Sequence, residues 1–434
     1  MEADNTKASP PSKLDRRAFL KILASGTLSG FLPPGLASIA LNKVDWPELD
    51  PEMLPASIRQ ILRLVSETVI QADGYLVLKT KGRDEVEQVP LLPTNWNQEN
   101  GHSYNQLTSN LPWGIVLHWF GDTYGQQQSL DFYLRGFNGM RQIGEYYTST
   151  SAHFLVGEQA PGGSLGDQPL GIVQTQKPAP DGTPYHAAHI RSLDHTAYEE
   201  GRHYFISALN ILSTKYPGVR PLLQDFYAQP GVLAHMQTLA IETTGCHFDT
   251  PGNYPGPQKV ANLLSVIQAI MKRYAIPAHN LMGHFEIQLS KPDPGKKFLA
   301  YIKYLIGLKA LIDPDEELKM LVFGPFLQSN DDPRNGVLAY FRYLRDYLLL
   351  TTSPRQIYEW DSWSKYLWVY DLLQGGTNRQ NGVTQFYTPL RKPFWQPGFS
   401  YLQPDNHEGL DLYPDLNGSW GSSLAGGVHL LADG

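Results

Sequence analysis

Gly283-His-Phe-Glu-Ile-Gln-Leu-Ser-Lys-Pro-Asp-Pro-Gly295 places an imidazole, an ammonium and a carboxylate in one short connection. It follows a segment, Gln258 to Tyr274, in which apolar residues recur at Val260, Leu263, Leu264, Ile267, Ile270, Met271 and Tyr274. That spacing predicts one face of an amphipathic helix packed on a sheet. Upstream, Gly114-Ile-Val-Leu-His-Trp-Phe120 reads as a buried strand with His118 at its end. Convergence of His118, His284 and Asp293 would bring two imidazoles and one carboxylate to a single Zn2+, leaving a fourth position for water. That is the open site of a metal-dependent hydrolase.

The surrounding segments read as an α/β core. Ala152-His-Phe-Leu-Val-Gly157 and Gly171-Ile-Val-Gln-Thr175 are further strands, and Thr238-Leu-Ala-Ile-Glu242 alternates so that Ala240 and Glu242 share a face. Pro55 to Ile70 has helical spacing, and a short strand follows over Gly74 to Thr80. Pro93 to Pro112 is polar and loop-like. Beyond Glu316, Val337 to Leu350 and Pro354 to Leu373 are aromatic-rich and helical in pattern, and after Gly375-Gly376 the chain turns to Pro, Gly, Asn and Tyr with strand-like pieces.

With 434 residues and 41% apolar content the chain exceeds one ordinary domain and can bury a sizeable core in each unit. A net charge of −7, with no Lys/Arg-rich run beyond the N-terminus, argues against nucleic acid as a partner. The single cysteine, Cys246, cannot close an intramolecular disulfide and reads as a small buried hydrophobe. Nine Trp, 24 Tyr and 17 Phe suit either sugar stacking or core packing.

Asp15-Arg-Arg-Ala-Phe-Leu-Lys21, followed by an apolar stretch diluted by Gly26, Gly30 and Gly35 and ending at Ser38-Ile-Ala40, resembles a twin-arginine export signal. Pro33-Pro34 and those glycines interrupt the ~20 apolar residues of a spanning helix, so no stable membrane span is expected after signal removal. The resemblance implies export to the periplasm, cell envelope or exterior.

Taken in order, the core motifs resemble the zinc-dependent N-acetylmuramoyl-L-alanine amidases of the phage-lysozyme, AmpD-like and peptidoglycan-recognition superfamily. The resemblance covers roughly Leu111 to Leu308. It rests on Gly-Ile-Val-Leu-His118, Ser151-Ala-His-Phe154, Gly171 to Gln174, Ala187-Ala-His189, Ala240-Ile-Glu242 and Gly283-His284 with Lys291-Pro-Asp-Pro-Gly295. It implies a mixed central β-sheet flanked by helices, Zn2+ on His118, His284 and Asp293, and a peptidoglycan or muropeptide substrate. The bond cut would join the lactyl group of N-acetylmuramic acid to L-alanine. Two departures stand out. Ile190 to Gln237 is a long insertion, and Ala152 occupies a position where some relatives carry a catalytic tyrosine, which leaves acid/base work to Glu242.

Under this reading Glu242 acts as general base and then acid, and Lys291 stabilises the developing oxyanion. His189 matches a position that approaches substrate. His153 reads as a structural strand residue, and His186 and His247 as surface or supporting groups.

Near the C-terminus, Asn406-His-Glu-Gly-Leu-Asp411 and Gly426-Gly-Val-His-Leu-Leu-Ala-Asp-Gly434 resemble the opening of LytM-like endopeptidases. His407 and Asp411 would be two ligands of a second, incomplete metal site. The expected organisation is a signal peptide over 1–40, a helix/strand and linker unit over 41–110, the amidase domain over 111–308, a helical spacer over 309–376 and an incomplete β-rich endopeptidase module over 377–434. Two other functions fit these motifs: a non-catalytic peptidoglycan-recognition protein, and one half of a bifunctional amidase and endopeptidase.

Overall fold

Helix α1 (Ala56–Leu64) leads into an antiparallel sheet of β1 (Thr68–Ile70), β2 (Leu76–Lys79) and β3 (Val86–Gln88). There follow β4 (Gly114–Trp119), a hairpin of β5 (Arg141–Ile143) and β6 (Tyr146–Thr148), then β7 (Phe154–Val156), β8 (Ile172–Gln174) and β9 (Thr238–Thr243). Helix α2 (Pro257–Tyr274), β10 (Leu281–Gly283) and the single turn α3 (His284–Ile287) come next. Helices α4 (Lys296–Ile312), α5 (Glu316–Phe323) and α6 (Pro333–Thr351) and a last hairpin, β11 (Thr377–Gln380) with β12 (Val383–Phe386), complete the sequence of elements. This computed structural model describes residues 44–54, 56–79, 86–92, 112–121, 133, 141–143, 146–148, 151–159, 171–185, 187, 211–219, 238–249, 253, 255–287, 291–327, 332–351, 377–380 and 383–386.

The central sheet has the order β10-β4-β9-β7-β8, parallel throughout except for β8, which runs antiparallel to β7. The expected mixed α/β character is therefore present. Ile115, Val116 and Leu117 of β4 are fully buried, as a continuous apolar run requires of a strand covered on both faces. One face lies against α2. The other carries a smaller apolar cluster of Tyr133, Ala152, Leu155, Val173 and Ala240.

Two sequence expectations change. The segment from Pro55 to Ile70 is not one helix: α1 stops at Leu64 and Thr68-Val-Ile70 pairs with Leu76 to Leu78. Its β-branched residues suit a pleated partner better than a helix turn. Helix α2, expected to bury one face, is buried nearly all round because the N-terminal unit covers its outer side. The Thr68 hydroxyl donates to the Ser265 carbonyl at 2.6 Å and the Ser66 N–H donates to Ser265 Oγ at 2.9 Å.

One apolar core runs from Trp46 to Tyr347. Residues on both sides of positions 110 and 308 contribute to it, and α5 and α6 pack in it. Phe298, Tyr304, Phe323, Phe326, Tyr340, Phe341, Tyr343 and Tyr347 all lie in it, so much of the aromatic content serves packing. The described part of the 190–237 insertion anchors on α6, where the Tyr216 hydroxyl donates to Asp346 Oδ2 at 2.7 Å and Lys215 Nζ lies 2.5 Å from the same oxygen. Among the described residues no helix is long and apolar enough to cross a membrane.

Gln174 ties the N-terminal unit to the sheet. Its Oε1 accepts the Leu76 N–H at 3.0 Å, and its Nε2 donates to the carbonyls of Gly74 and Gln176 at 3.1 Å each. Gln174→Ala leaves buried backbone groups unpaired and is expected to cost about 2–4 kcal/mol, read from urea unfolding midpoints. A loss below about 0.5 kcal/mol would mean that these contacts do not hold the units together.

Candidate metal centre

Strand register brings the candidate residues to one level. In the parallel β10–β4 pair Gly283 lies opposite Leu117, so the chain reaches His284 beside His118. In the parallel β4–β9 pair His118 lies opposite Glu242. Residues level in a parallel pair point to the same face, with strands about 4.8 Å apart. Glu242, half-buried, therefore stands on the same side of the sheet as His118.

Asp293 returns to this row through a tight turn. The Gly295 N–H donates to the Pro292 carbonyl at 2.9 Å, and the Phe285 N–H donates to the Asp293 carbonyl at 3.2 Å. The turn ends where α4 begins. There Asp249, from the loop after β9, accepts the N–H groups of Lys297 and Phe298 at 3.1 and 2.8 Å. This remote carboxylate caps the helix in place of an adjacent residue. Gly295 makes room for it: its φ is +99°, and an added Cβ would sit 2.6 Å from the Asp249 carboxyl carbon.

Three buried donor atoms meet. His118 Nδ1 lies 3.0 Å from His284 Nδ1 and 3.1 Å from Asp293 Oδ2, and His284 Nδ1 lies 2.9 Å from the same oxygen. No placement of hydrogens turns all three edges of this triangle into hydrogen bonds. With Asp293 ionised and both Nδ1 atoms protonated, two donors face each other; with one protonated, the other nitrogen and the carboxylate oxygen face each other with bare lone pairs. A shared cation would resolve the conflict. Four donors around a small tetrahedral ion with bonds of about 2.1 Å stand about 3.4 Å apart, a few tenths of an ångström wider than the spacing seen. His118, His284 and Asp293 could hold a metal ion, and they are the one such group among the described residues.

The electrostatics favour metal-ready protonation states. Burial, reinforced by His284, pushes His118 down from 6.5 to about 4, so its imidazole is neutral at ordinary pH. Burial alone would raise Asp293, but hydrogen bonds with His118 and His284 outweigh it and hold the carboxyl well below the usual range. Lys291 is exposed, two residues before Asp293, and lies close enough to depress His118 electrostatically.

No family model, curated protein or solved structure matches this chain.

The remaining sequence-stated residues fall outside this cluster. His153 is a clamp: its Nδ1 accepts the Ala240 N–H at 2.9 Å and its Nε2 meets the Tyr185 carbonyl at 2.7 Å, which fixes one neutral tautomer. His247 is exposed and packs on Trp119, while Cys246 is buried. His186, His189, His407 and Asp411 lie outside the described residues, as does the leader over 1–40. Sequence reading missed Asp249 and Glu286. Asp249 caps a helix far along the chain, so no local capping pattern announces it. Glu286, two residues after His284, belongs to no apolar period.

Two outcomes are expected. Gly295→Ala forces a Cβ into the Asp249 carboxylate at a positive φ and should cost about 1–3 kcal/mol in urea unfolding while weakening metal binding by titration. In the metal-free chain, buried His118 and His279 resist protonation down to about 4 and about 3, whereas unfolded histidine takes a proton near 6.5. Their contribution is therefore complete above pH 6.5 and is lost as pH falls toward 4, by on the order of 3 kcal/mol per histidine. His118→Gln should flatten its share of that slope; an unaltered slope would count against a neutral buried imidazole.

Proposed function

We propose that this chain is an exported zinc-dependent N-acetylmuramoyl-L-alanine amidase. The observation that carries the reading is the buried triangle of His118 Nδ1, His284 Nδ1 and Asp293 Oδ2. Two nitrogens and one carboxylate oxygen are the donor set of a catalytic zinc with an open fourth position. The amide substrate, and with it peptidoglycan, comes from the order and spacing of the motifs in the sequence. The amidase fold is proposed on the same ground, supported by a mixed sheet in which His118 and His284 lie at the ends of the parallel strands β4 and β10 and Asp293 comes from the turn that follows.

When bound, zinc would lower the pKa of water toward neutrality and polarise the amide carbonyl. The protein's own groups do the rest. Glu242, level with His118, takes the proton of the attacking water and delivers it to the departing L-alanine amine. Lys291, at the exposed end of the Lys291-Pro-Asp293 segment, offers an ammonium to the oxygen on which negative charge grows. His118 remains a neutral donor, and Asp293 stays ionised beside it.

Purified chain incubated with cell-wall sacculi should release new L-alanine amino termini without new reducing sugars. Glu242→Gln should retain zinc and lose about 100- to 10,000-fold in kcat. His284→Ala should lose the zinc itself, read as the metal-to-protein ratio. Metal-independent binding to sacculi with no released amine would assign a recognition role instead. New D-alanyl or glycyl termini would point to an endopeptidase.

A further inference from the structure

The backbone is held on either side of His284. The Phe285 N–H donates to the Asp293 carbonyl at 3.2 Å, a contact made within the triad's own loop. The Gly283 N–H donates to Glu286 Oε2 at 2.7 Å. This second contact comes from a carboxylate with no part in the chemistry above. Glu286 is 4% exposed, on the single turn α3.

The surroundings of Glu286 are built from distant helices. Lys303 of α4, 1% exposed, supplies the opposing charge, and Tyr347 of α6 lies against the carboxylate. Lys303 Nζ sits 5.1 Å above the Tyr347 ring and 5.8 Å above that of Tyr343. The Tyr340 hydroxyl donates to the Lys303 carbonyl at 2.6 Å. A buried carboxylate and ammonium contribute little net stability compared with well-packed apolar residues in the same space. What an apolar group cannot supply is a fixed acceptor for the Gly283 N–H. Gly283 itself admits no side chain, since a Cβ there would lie 2.4 Å from the Phe285 ring.

We infer that Glu286 is a positioning residue for the metal centre, fixing the N–H of Gly283, the residue before His284, and through that backbone the direction of the imidazole ring, with Lys303 and Tyr347 holding the carboxylate in place. The inference rests on the metal reading of His118, His284 and Asp293. It gives α6 a role at the site: the helix braces the acid that aims one of the donors. A ligand ring held to within about 0.5 Å binds metal far better than one free to swing.

The test uses the full chain, titrated with Zn2+ against a competing chelator and with Co2+ followed by its visible absorption, which reports coordination geometry. Glu286→Ala should fold by circular dichroism, bind Zn2+ about 10- to 100-fold more weakly and shift the Co2+ bands. Glu286→Gln keeps an oxygen acceptor and should restore affinity to within a few-fold. Native affinity and native Co2+ bands in Glu286→Ala, with only a lower melting temperature, would overturn the inference. If that variant does not fold, Glu286→Asp decides, because it draws the carboxylate back from Gly283 while keeping its charge. Weakened Zn2+ binding in Glu286→Asp supports positioning, and unchanged binding and bands refute it. A native chain that binds neither ion refutes the metal reading and this inference together, whereas native binding with indifferent variants refutes the inference alone.

Discussion

Parallel pairing of β10, β4 and β9 is the constraint on which the site depends. It sets His118 and Glu242 level on one face and ends β10 one residue short of the same line, where His284 begins α3. Because side chains alternate strictly along a strand, a slip of one residue in either pair would send His118 or Glu242 to the opposite face. That opposite face is filled by α2, so the register is fixed by apolar packing rather than by the polar residues that use it. The site is in this sense a by-product of a well-specified core.

Such a convergence of polar atoms is unfavourable by itself. Two imidazoles and a carboxylate are withdrawn from water, and their mutual contacts cannot all be hydrogen bonds. What holds them together is a frame of backbone contacts and two further acids, one half-buried and one buried. Asp249 caps α4 and so fixes the end of the turn that carries Asp293; Glu286 holds the N–H of Gly283, the residue before His284. Each acid comes from a different connection, and each accepts backbone N–H groups that a nearby turn or helix start leaves unpaired. The N-terminal sheet and the C-terminal helices complete the enclosure, so that α2 and α4 pass through the middle of the protein with little exposed surface.

Several of these features were legible in the chain. Helix α2 announced itself by period, and β4, β7, β8 and β9 by short apolar runs near their observed bounds. His118, His284 and Asp293 stood out because a histidine at a strand end and a Lys-x-Asp-Pro-Gly turn are unusual together. Other features left no local trace. The β-branched Thr68-Val-Ile70 was hidden by a helical spacing that continued past Leu64, and only the pairing with β2 distinguishes it. The aromatic residues of α4 to α6 carried no mark separating a sugar platform from a core. Their burial against one another assigns them to packing.

The sequence by itself determined which chemical groups were available and at which strand and turn ends they would appear, since hydrophobic period and turn chemistry act over a few residues. Tertiary structure decided which of those groups meet. The 3 Å triangle of donor atoms and the cap supplied by Asp249 join segments brought together only by sheet register and helix packing, and the helices packed around Glu286 reach it the same way. The physical reason is one of range: backbone preferences are local, whereas a hydrogen bond or a shared cation requires atoms within about 3 Å whatever their separation along the chain.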